Sequence, residues 1–148
     1  MSYTRLLYHV IIRTKRSERT IVEEHERDLY AYIYGAIGEM QGKLYRIGGM
    51  PDHLHLLVGI PSTVSVTSFI RELKISSSKW LTINPNFPKF DGWGQSFAAF
   101  SYNYNDKETI INYIKSQKEH HKHMSFGEEL REFLNENNVH VDEKYLPK

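Results

Sequence analysis

The sequence contains no cysteine among its 148 residues. This absence excludes a disulfide framework, a thiolate metal site and a thiol nucleophile. No apolar run approaches the roughly 20 residues that span a membrane. Arg5 interrupts a short apolar start, and no small-residue cleavage site follows it, so we expect neither a membrane segment nor a secretory signal. These absences fit a cytoplasmic protein.

The chain also lacks a strong charge of either sign. Its formal net charge is +1 with histidine neutral, whereas many phosphate-binding proteins are far more basic, so composition alone does not indicate nucleic acid. The hydrophobic fraction of 40% and the charged fraction of 25% are typical of a globular protein. The length predicts a single domain over residues 1–148, ending in a short helical tail over 126–148.

Hydrophobic periodicity predicts the order strand, helix, strand, strand, helix, strand, helix. The predicted strands cover 3–14, 43–47, 53–60 and 96–102, and the predicted helices cover 23–41, 65–81 and about 106–121. The segment 48–52 predicts a turn by composition, and Asp106 predicts a helix N-cap. Two strand–helix–strand halves predict an α+β fold, a ferredoxin-like βαββαβ antiparallel sheet. The first two helices would cover one face, which leaves the opposite face for the third.

The third predicted strand contains a His-x-His pattern. Side chains alternate along a strand, so His53 and His55 point to one side and Leu54 to the other. Two imidazoles one strand step apart are close enough to share a cation. The pattern alone is weak, since two half-exposed histidines alternate in the same way.

The third predicted helix contains Tyr113 and Gln117, four residues apart. Residues at this spacing are neighbours on one helix face, so a phenol and an amide are presented together. The amide oxygen suits a hard cation such as Mg²⁺ or Mn²⁺. On its own, this pair is better explained by a core-packing tyrosine and a surface glutamine.

Together the two elements carry a family resemblance. The stretch Met50-Pro51-Asp52-His53-Leu54-His55-Leu56-Leu57 and the later Tyr-x-x-x-Gln resemble the single-tyrosine transposases of the HUH nuclease superfamily, in residue type, spacing and order. That group includes the TnpA-type insertion-sequence enzymes and the REP-associated tyrosine transposases. The resemblance implies that Tyr113 is the catalytic nucleophile and that His53, His55 and Gln117 hold Mg²⁺ or Mn²⁺. His121, one turn beyond Gln117, is an alternative third ligand.

The resemblance further implies the reaction and the partners. The substrate would be single-stranded DNA with hairpins near the element's ends, cut to a 5′-phosphotyrosine link and a free 3′-OH. It implies a homodimer joined through the fourth strands and no nucleotide cofactor, with the protein associated with the nucleoid when it acts. A tyrosine with a reference pKa of about 10 is mostly protonated at neutral pH, so a base, water or the metal must assist it.

The DNA-binding surface is the least determined part of the prediction. Arg71, Lys74 and Lys79 on the second helix are candidates for backbone contacts, although a solvated helix face explains them too. Four aromatic residues are candidates for base stacking or for packing of the fourth strand, namely Trp93, Phe97, Tyr102 and Tyr104. The histidines at 120, 121 and 123 also fit a cationic helix end.

Two other functions remain open from the sequence. A histidine-triad nucleotide hydrolase also uses closely spaced histidines on a strand, but its motif needs a third histidine where this chain has Leu57. The hydrolase hypothesis would also leave Tyr113 and Gln117 without a role. A module that recognises hairpin DNA without cutting it would keep the same fold. The presence or absence of a covalent protein–DNA adduct separates these functions.

Overall fold

A computed structural model describes residues 2–140 and 142–147. Its antiparallel sheet has the order β2-β3-β1-β4, with β1 at Leu7–Thr14, β2 at Lys43–Met50, β3 at His53–Gly59 and β4 at Trp93–Tyr102. The helices are α1 at Glu26–Glu39, α2 at Val66–Thr82, α3 at Lys107–Lys115, α4 at Gln117–His120 and α5 at Phe126–Glu136. This order and topology confirm the predicted α+β ferredoxin-like sheet.

One face of the sheet forms the main hydrophobic core with α1 and α2. The strand residues in this core alternate as predicted, and they include Val10, Ile12, Leu54, Leu56 and Val58. Each helix contributes an apolar stripe to the same core, with Leu29, Ile33 and Ile37 from α1 and Phe69, Ile70, Leu73 and Leu81 from α2. Burial of this face fixes the register of β3, which directs the side chains of His53 and His55 to the opposite face.

Two smaller hydrophobic clusters cover that opposite face. In one, Leu57 packs against Ile110 and Ile114 of α3. In the other, Ile11 packs against Phe126 and Phe133 of α5. The sheet therefore lies between α1 and α2 on one side and α3 and α5 on the other.

The end of β2 differs from the prediction. The predicted turn at 48–52 is wrong over its first half, because β2 continues to Met50 and only Pro51 and Asp52 form the turn. Gly48 is a strand residue over which α3 packs. A Cβ at this position would lie 2.9 Å from the carbonyl oxygen of Ile114, so glycine allows the backbone of α3 to approach the sheet closely.

We expect Gly48→Ala to destabilise the fold by about 1–3 kcal/mol, because either α3 or β2 must move to accommodate the methyl group. Urea unfolding measures the change. Gly35→Ala in α1 is the matched control, since nothing lies within 4 Å of its Cβ position. That change is expected to stabilise by about 0.5–1 kcal/mol through helix propensity. Equal stability of the wild type and Gly48→Ala would disprove the close-approach explanation.

The predicted third helix is two helices. It breaks at Ser116, whose hydroxyl donates to the Asn112 carbonyl at 3.0 Å and whose N–H donates to the Tyr113 carbonyl at 3.2 Å. Such side-chain bonds compete with the helical ladder. Asp106 is the N-cap residue of α3, as predicted, but its side chain makes no capping hydrogen bond. The Asn103 side chain forms the nearby cap by accepting from the Asn105 N–H, because a 3-10 turn at Tyr104–Asp106 precedes α3.

Other boundaries differ by a few residues. β1 begins at Leu7 instead of residue 3, and β4 begins at Trp93 instead of residue 96 because a register shift lets Thr14 pair with Trp93. The predicted tail helix is α5, followed by a 3-10 turn at Glu143–Tyr145. Residues 1, 141 and 148 of the predicted domain lie outside the described part. Within that part, no helix is both long enough and apolar enough to cross a membrane.

Candidate active site

The two strand histidines are fully buried against α3, α4 and α5. His53 and His55 have no exposed surface, so they are not the half-exposed pair that the sequence pattern left open. Their ring centroids are 5.1 Å apart. Phe126 at the start of α5 stacks on the His53 ring with a centroid distance of 4.1 Å. The pair therefore lies between the sheet and the C-terminal helices.

The structure brings Gln117 and Tyr113 to the same place. The Gln117 side-chain oxygen lies 3.0 Å from His53 Nε2, and the Tyr113 ring centroid lies 5.8 Å from that of His55. All four residues of the predicted site thus meet within one chain. The helix break at Ser116 does not separate Tyr113 from Gln117, because both side chains reach one carboxylate.

That carboxylate belongs to Glu129 of α5, which sequence reasoning missed. Its Oε1 atom lies 3.0 Å from His55 Nε2, 3.2 Å from His53 Nε2 and 3.1 Å from His121 Nε2. Its Oε2 atom accepts hydrogen bonds from the Gln117 amide at 2.7 Å and from the Tyr113 hydroxyl. Glu129 is 1% exposed, so it is the buried acceptor at the centre of the site.

The histidines around Glu129 determine its ionisation. Burial alone would raise its pKa, but hydrogen bonds from His121, His53 and His55 outweigh burial and hold the pKa well below the usual range. Burial likewise lowers the pKa of His53, but its hydrogen bonds to Asp52 and Glu129 prevail and raise the pKa. Burial dominates at His55 and lowers its pKa. These shifts favour the ionised form of Glu129 and the protonated form of His53, and they disfavour protonation of His55.

Each histidine of the pair has a further partner at Nδ1. The Asp52 carboxylate lies 2.7 Å from His53 Nδ1, and His9 Nε2 lies 2.7 Å from His55 Nδ1. Such contacts fix the tautomer and orientation of an imidazole that binds metal through Nε2. His9 is itself fully buried, and burial followed by the charge of His55 holds its pKa well below the usual value.

Tyr113 is half-buried beside this cluster. Burial, followed by its hydrogen bond to Glu129, raises the pKa of the phenol well above the usual value. The ring of His120 stacks on it, with centroids 4.6 Å apart. The hydroxyl is therefore protonated in this arrangement, and its proton is donated to Glu129.

We expect Glu129→Gln to destabilise the metal-free protein by about 3 kcal/mol, because it removes one partner of a buried ion pair. Glu129 has a lowered folded-state pKa, so its contribution is present above the unfolded value of about 4.3 and is lost as the pH falls. His53 has a raised folded-state pKa, so its contribution is present below about 6.5 and is lost as the pH rises. The pair therefore contributes most between about pH 4.3 and 6.5.

Urea unfolding over a pH series with a chelator present measures this difference. Glu132→Gln on the same helix is the matched control, since that side chain is exposed, and its effect is expected to stay within about 0.5 kcal/mol. A wild-type advantage over Glu129→Gln that is independent of pH would rule out the ion pair.

The donor set fits a divalent cation. The Nε2 atoms of the histidine pair and a carboxylate oxygen of Glu129 all lie within 4.8 Å of one another. The oxygen donors suit Mg²⁺ or Mn²⁺, and imidazole nitrogens suit divalent transition-metal ions. Gln117 offers a second oxygen beside His53. His121 contacts Glu129 directly, so both third ligands considered from the sequence lie at this site.

The predicted DNA-binding residues lie elsewhere. Arg71, Lys74 and Lys79 are on α2, which packs on the sheet face opposite to the histidine pair. The Lys74 ammonium donates to the carbonyls of Gly94 and Ser96 in β4 at 2.9 and 3.0 Å, and its burial, followed by the charge of Arg13, lowers its pKa. Arg71 and Lys79 are exposed.

The four candidate stacking aromatics mostly take part in packing. Trp93 donates its indole N–H to the Ser77 hydroxyl at 3.0 Å and packs with Phe97 against the main core. Tyr102 packs against the clusters under α3 and α5. Tyr104 is 38% exposed and lies between Arg5 and Lys107, with the Arg5 guanidinium 4.2 Å from its ring centroid.

The sequence pattern of the IS200-like transposases matches residues 2–117. This match covers more than half of the chain, so the protein belongs to the IS200-like transposase family. The resemblance to single-tyrosine transposases is confirmed. The match ends at Gln117, so α5 and Glu129 lie beyond it. No curated protein sequence matches the chain significantly.

Two solved structures share the fold. One, provisionally described as a transposase of Deinococcus radiodurans R1, is 24% identical with a TM-score of 0.58, covering 78% of this chain and 93% of its own. The other is a REP-associated tyrosine transposase bound to a REP hairpin. It is 14% identical with a TM-score of 0.61, covering 82% of this chain and 72% of its own. At these identities the likeness concerns the fold alone.

Proposed function

We propose that this transposase cleaves and rejoins single-stranded DNA with Tyr113 as nucleophile, through a 5′-phosphotyrosine intermediate. One observation carries the proposal. The Tyr113 hydroxyl and the Gln117 amide meet a buried imidazole pair around the Glu129 carboxylate. A nucleophile, a cation site and proton acceptors within hydrogen-bonding reach of one another are what phosphodiester transfer requires.

The proposed metal ligands are His53, His55 and Gln117, with Glu129 as a further oxygen donor, and the proposed ion is Mg²⁺ or Mn²⁺. When bound, such an ion polarises a phosphodiester oxygen and offsets the negative charge that repels a nucleophile. Asp52 and His9 hold the two rings with their Nε2 atoms directed into the site. His9, His53 and His55 are fully buried.

The proposed step exchanges one phosphoester for another. The Tyr113 oxygen bonds to the scissile phosphorus, the bond from phosphorus to the 3′ oxygen breaks, the phenol loses its proton and the leaving 3′ oxygen gains one. Bond energy is retained in the phosphotyrosine link, so a 3′-OH from another strand reverses the step without ATP or any other nucleotide cofactor. The Glu129 Oε2 atom accepts a hydrogen bond from the hydroxyl of Tyr113.

We propose hairpin-bearing single-stranded DNA as the substrate, which places the working protein at the nucleoid. The fold shared with a hairpin-bound transposase supports this proposal. We also propose a homodimer formed along β4, since β4 is an edge strand of the sheet and an exposed strand edge is a template for pairing with a second chain. Arg71, Lys74 and Lys79 remain candidate DNA contacts outside the catalytic face.

The test is a covalent adduct. The protein is incubated with end-labelled single-stranded DNA carrying a hairpin and with Mg²⁺ or Mn²⁺, then analysed on a denaturing gel. We expect a labelled band at the mass of protein plus DNA, and we expect EDTA to prevent its formation. A shift on native gels without any adduct would instead identify a non-cleaving hairpin-binding module. Cleavage of nucleotides without an adduct would identify a hydrolase.

A further inference from the structure

A cavity lined by three arginines opens beside the candidate active site. Its volume is about 530 Å³, within the range of pockets that hold small ligands. We call it the arginine pocket. Its lining includes Arg13, Arg16, Arg19, Asp52, His121 and Phe126. Met50 and Met124 form an apolar part of its wall. A guanidinium rim with apolar walls suits a nucleotide, which has a charged phosphate and a flat base.

The inner wall of the arginine pocket consists of residues that contact the histidine pair. Asp52 lies 2.7 Å from His53 Nδ1, and Phe126 stacks on the His53 ring at 4.1 Å. His121 lies 3.1 Å from the Glu129 carboxylate. A single DNA strand with one phosphate at the imidazole pair would therefore place a neighbouring nucleotide in the arginine pocket.

Arg16 lies in a strained turn that is tied to the site, between Arg13 in β1 and Arg19 after the turn. Arg16 and Ser17 both have φ of 56°, a left-handed conformation that costs non-glycine residues of order 1–3 kcal/mol each. Backbone hydrogen bonds from Thr14 to the Asp52 carbonyl at 3.0 Å and from Thr20 to the Pro51 carbonyl at 3.1 Å hold this turn. The turn is thus fixed to the residues that immediately precede His53.

Two of the guanidinium groups are available to an anion. Arg16 is 3.6 Å from Asp91 and 3.9 Å from Glu18. Arg13 and Arg19 have no carboxylate within 4 Å in the described ranges, and the Arg13 guanidinium makes only a long contact of 3.5 Å to the Ser17 hydroxyl. Guanidinium groups bind phosphate with paired N–H donors. The pocket is therefore a cationic subsite on the catalytic face, whereas Arg71 and Lys79 lie across the sheet from it.

We propose that the arginine pocket binds a backbone phosphate and nucleotide of the single strand next to the phosphate that Tyr113 attacks. This inference rests on the proposed function, since it assigns the path of the same substrate. The main electrostatic contact of the DNA strand then lies at the turn between β1 and α1, away from α2.

Salt dependence of DNA binding tests the inference. Fluorescence anisotropy with a labelled oligothymidylate measures affinity over a salt series for the wild type and for Arg13→Gln/Arg16→Gln/Arg19→Gln. For single strands each phosphate contact contributes about 0.7 to the slope of log affinity against log salt, so the triple variant, which removes the contact to one phosphate, is expected to lower the slope by about 0.7. Arg19→Gln alone should lower it by a smaller amount, because the other two guanidinium groups remain. It changes one exposed side chain, so it keeps the test valid if the triple variant folds poorly.

The charge-matched control is Arg27→Gln/Lys43→Gln/Lys89→Gln, three exposed cations outside the pocket. We expect this control to keep a slope close to that of the wild type. Unchanged slopes in both pocket variants, or a larger loss in the control, would overturn the arginine pocket. If the wild type still forms the covalent adduct in that case, the proposed function stands without this subsite. Absence of both DNA binding and adduct from the wild type would remove the two proposals together.

Discussion

Tyr113→Phe is expected to lower the rate of adduct formation by about 10⁶-fold, the scale on which removal of a catalytic nucleophile acts. Phenylalanine keeps the ring that packs against His120 and the cluster under α5, but it lacks the oxygen that would bond to phosphorus. Glu129 keeps its hydrogen bonds from Gln117 and the histidines, so the site should remain folded. DNA affinity is expected to stay within about twofold of the wild type, a change of under about 0.5 kcal/mol.

Single-turnover assays on denaturing gels measure the adduct, and anisotropy measures binding. Tyr104→Phe is the matched control, because its hydroxyl contacts Lys107 outside the site and its ring is 38% exposed. This control should form adduct at the wild-type rate. An adduct that persists in Tyr113→Phe would assign the nucleophile to another residue.

His55→Ala is expected to abolish stabilisation by Mn²⁺ and to slow adduct formation by at least about 10³-fold. A metal ion supplies several kcal/mol of charge stabilisation in the transition state, and each 1.36 kcal/mol is a factor of about ten in rate. For the wild type, Mn²⁺ at about 100 times its dissociation constant should raise the free energy of unfolding by about 2.7 kcal/mol. Thermal unfolding with and without Mn²⁺ measures this gain independently of activity.

His140→Ala is the control for this experiment, since His140 is an exposed histidine outside the cluster. It should keep both the Mn²⁺ stabilisation and the adduct. If His55→Ala retained the full Mn²⁺ stabilisation, the cation would bind elsewhere and the proposed ligand set would be wrong. Loss of both properties in the two variants alike would point to a nonspecific effect of histidine removal.

The fold and the histidine pair could be predicted because local sequence patterns determine them. Alternation along β3 buries Leu54 and Leu56 on one face, which directs His53 and His55 to the other. The helical stripes of α1 and α2 match the same face. These features depend on side-chain period and burial, both of which are readable from a short window of residues.

Glu129 could not be predicted in this way. It meets His55 across 74 positions of sequence, and a single glutamate on an amphipathic helix carries no local sign of burial. It also lies beyond the residues that match the family. Its position depends on how Phe126 and Phe133 dock α5 against Ile11 of the sheet, which is a tertiary property.

The two glycines at the end of β2 show a different limit. Gly48 and Gly49 resemble turn residues in composition, but both lie in the strand where neighbouring backbone comes close, and a Cβ on Gly49 would lie 2.2 Å from the His53 carbonyl oxygen. At Gly48 the close approach is set by Ile114, which is distant in sequence, and at Gly49 it is set by the pairing of β2 with β3. In the same way, the arginine pocket joins the turn after β1 to the start of α5, which no single stretch of sequence reveals.

Peptide mapping of the covalent product tests the central claim most directly. The adduct formed with Mn²⁺ is digested with protease and nuclease, and mass spectrometry locates the residue that carries the remaining nucleotide. We expect a 5′-linked nucleotide on the peptide containing Tyr113 and a free 3′-OH on the released strand. A nucleotide attached to any other residue, or linkage through a 3′ phosphate, would contradict the proposed mechanism.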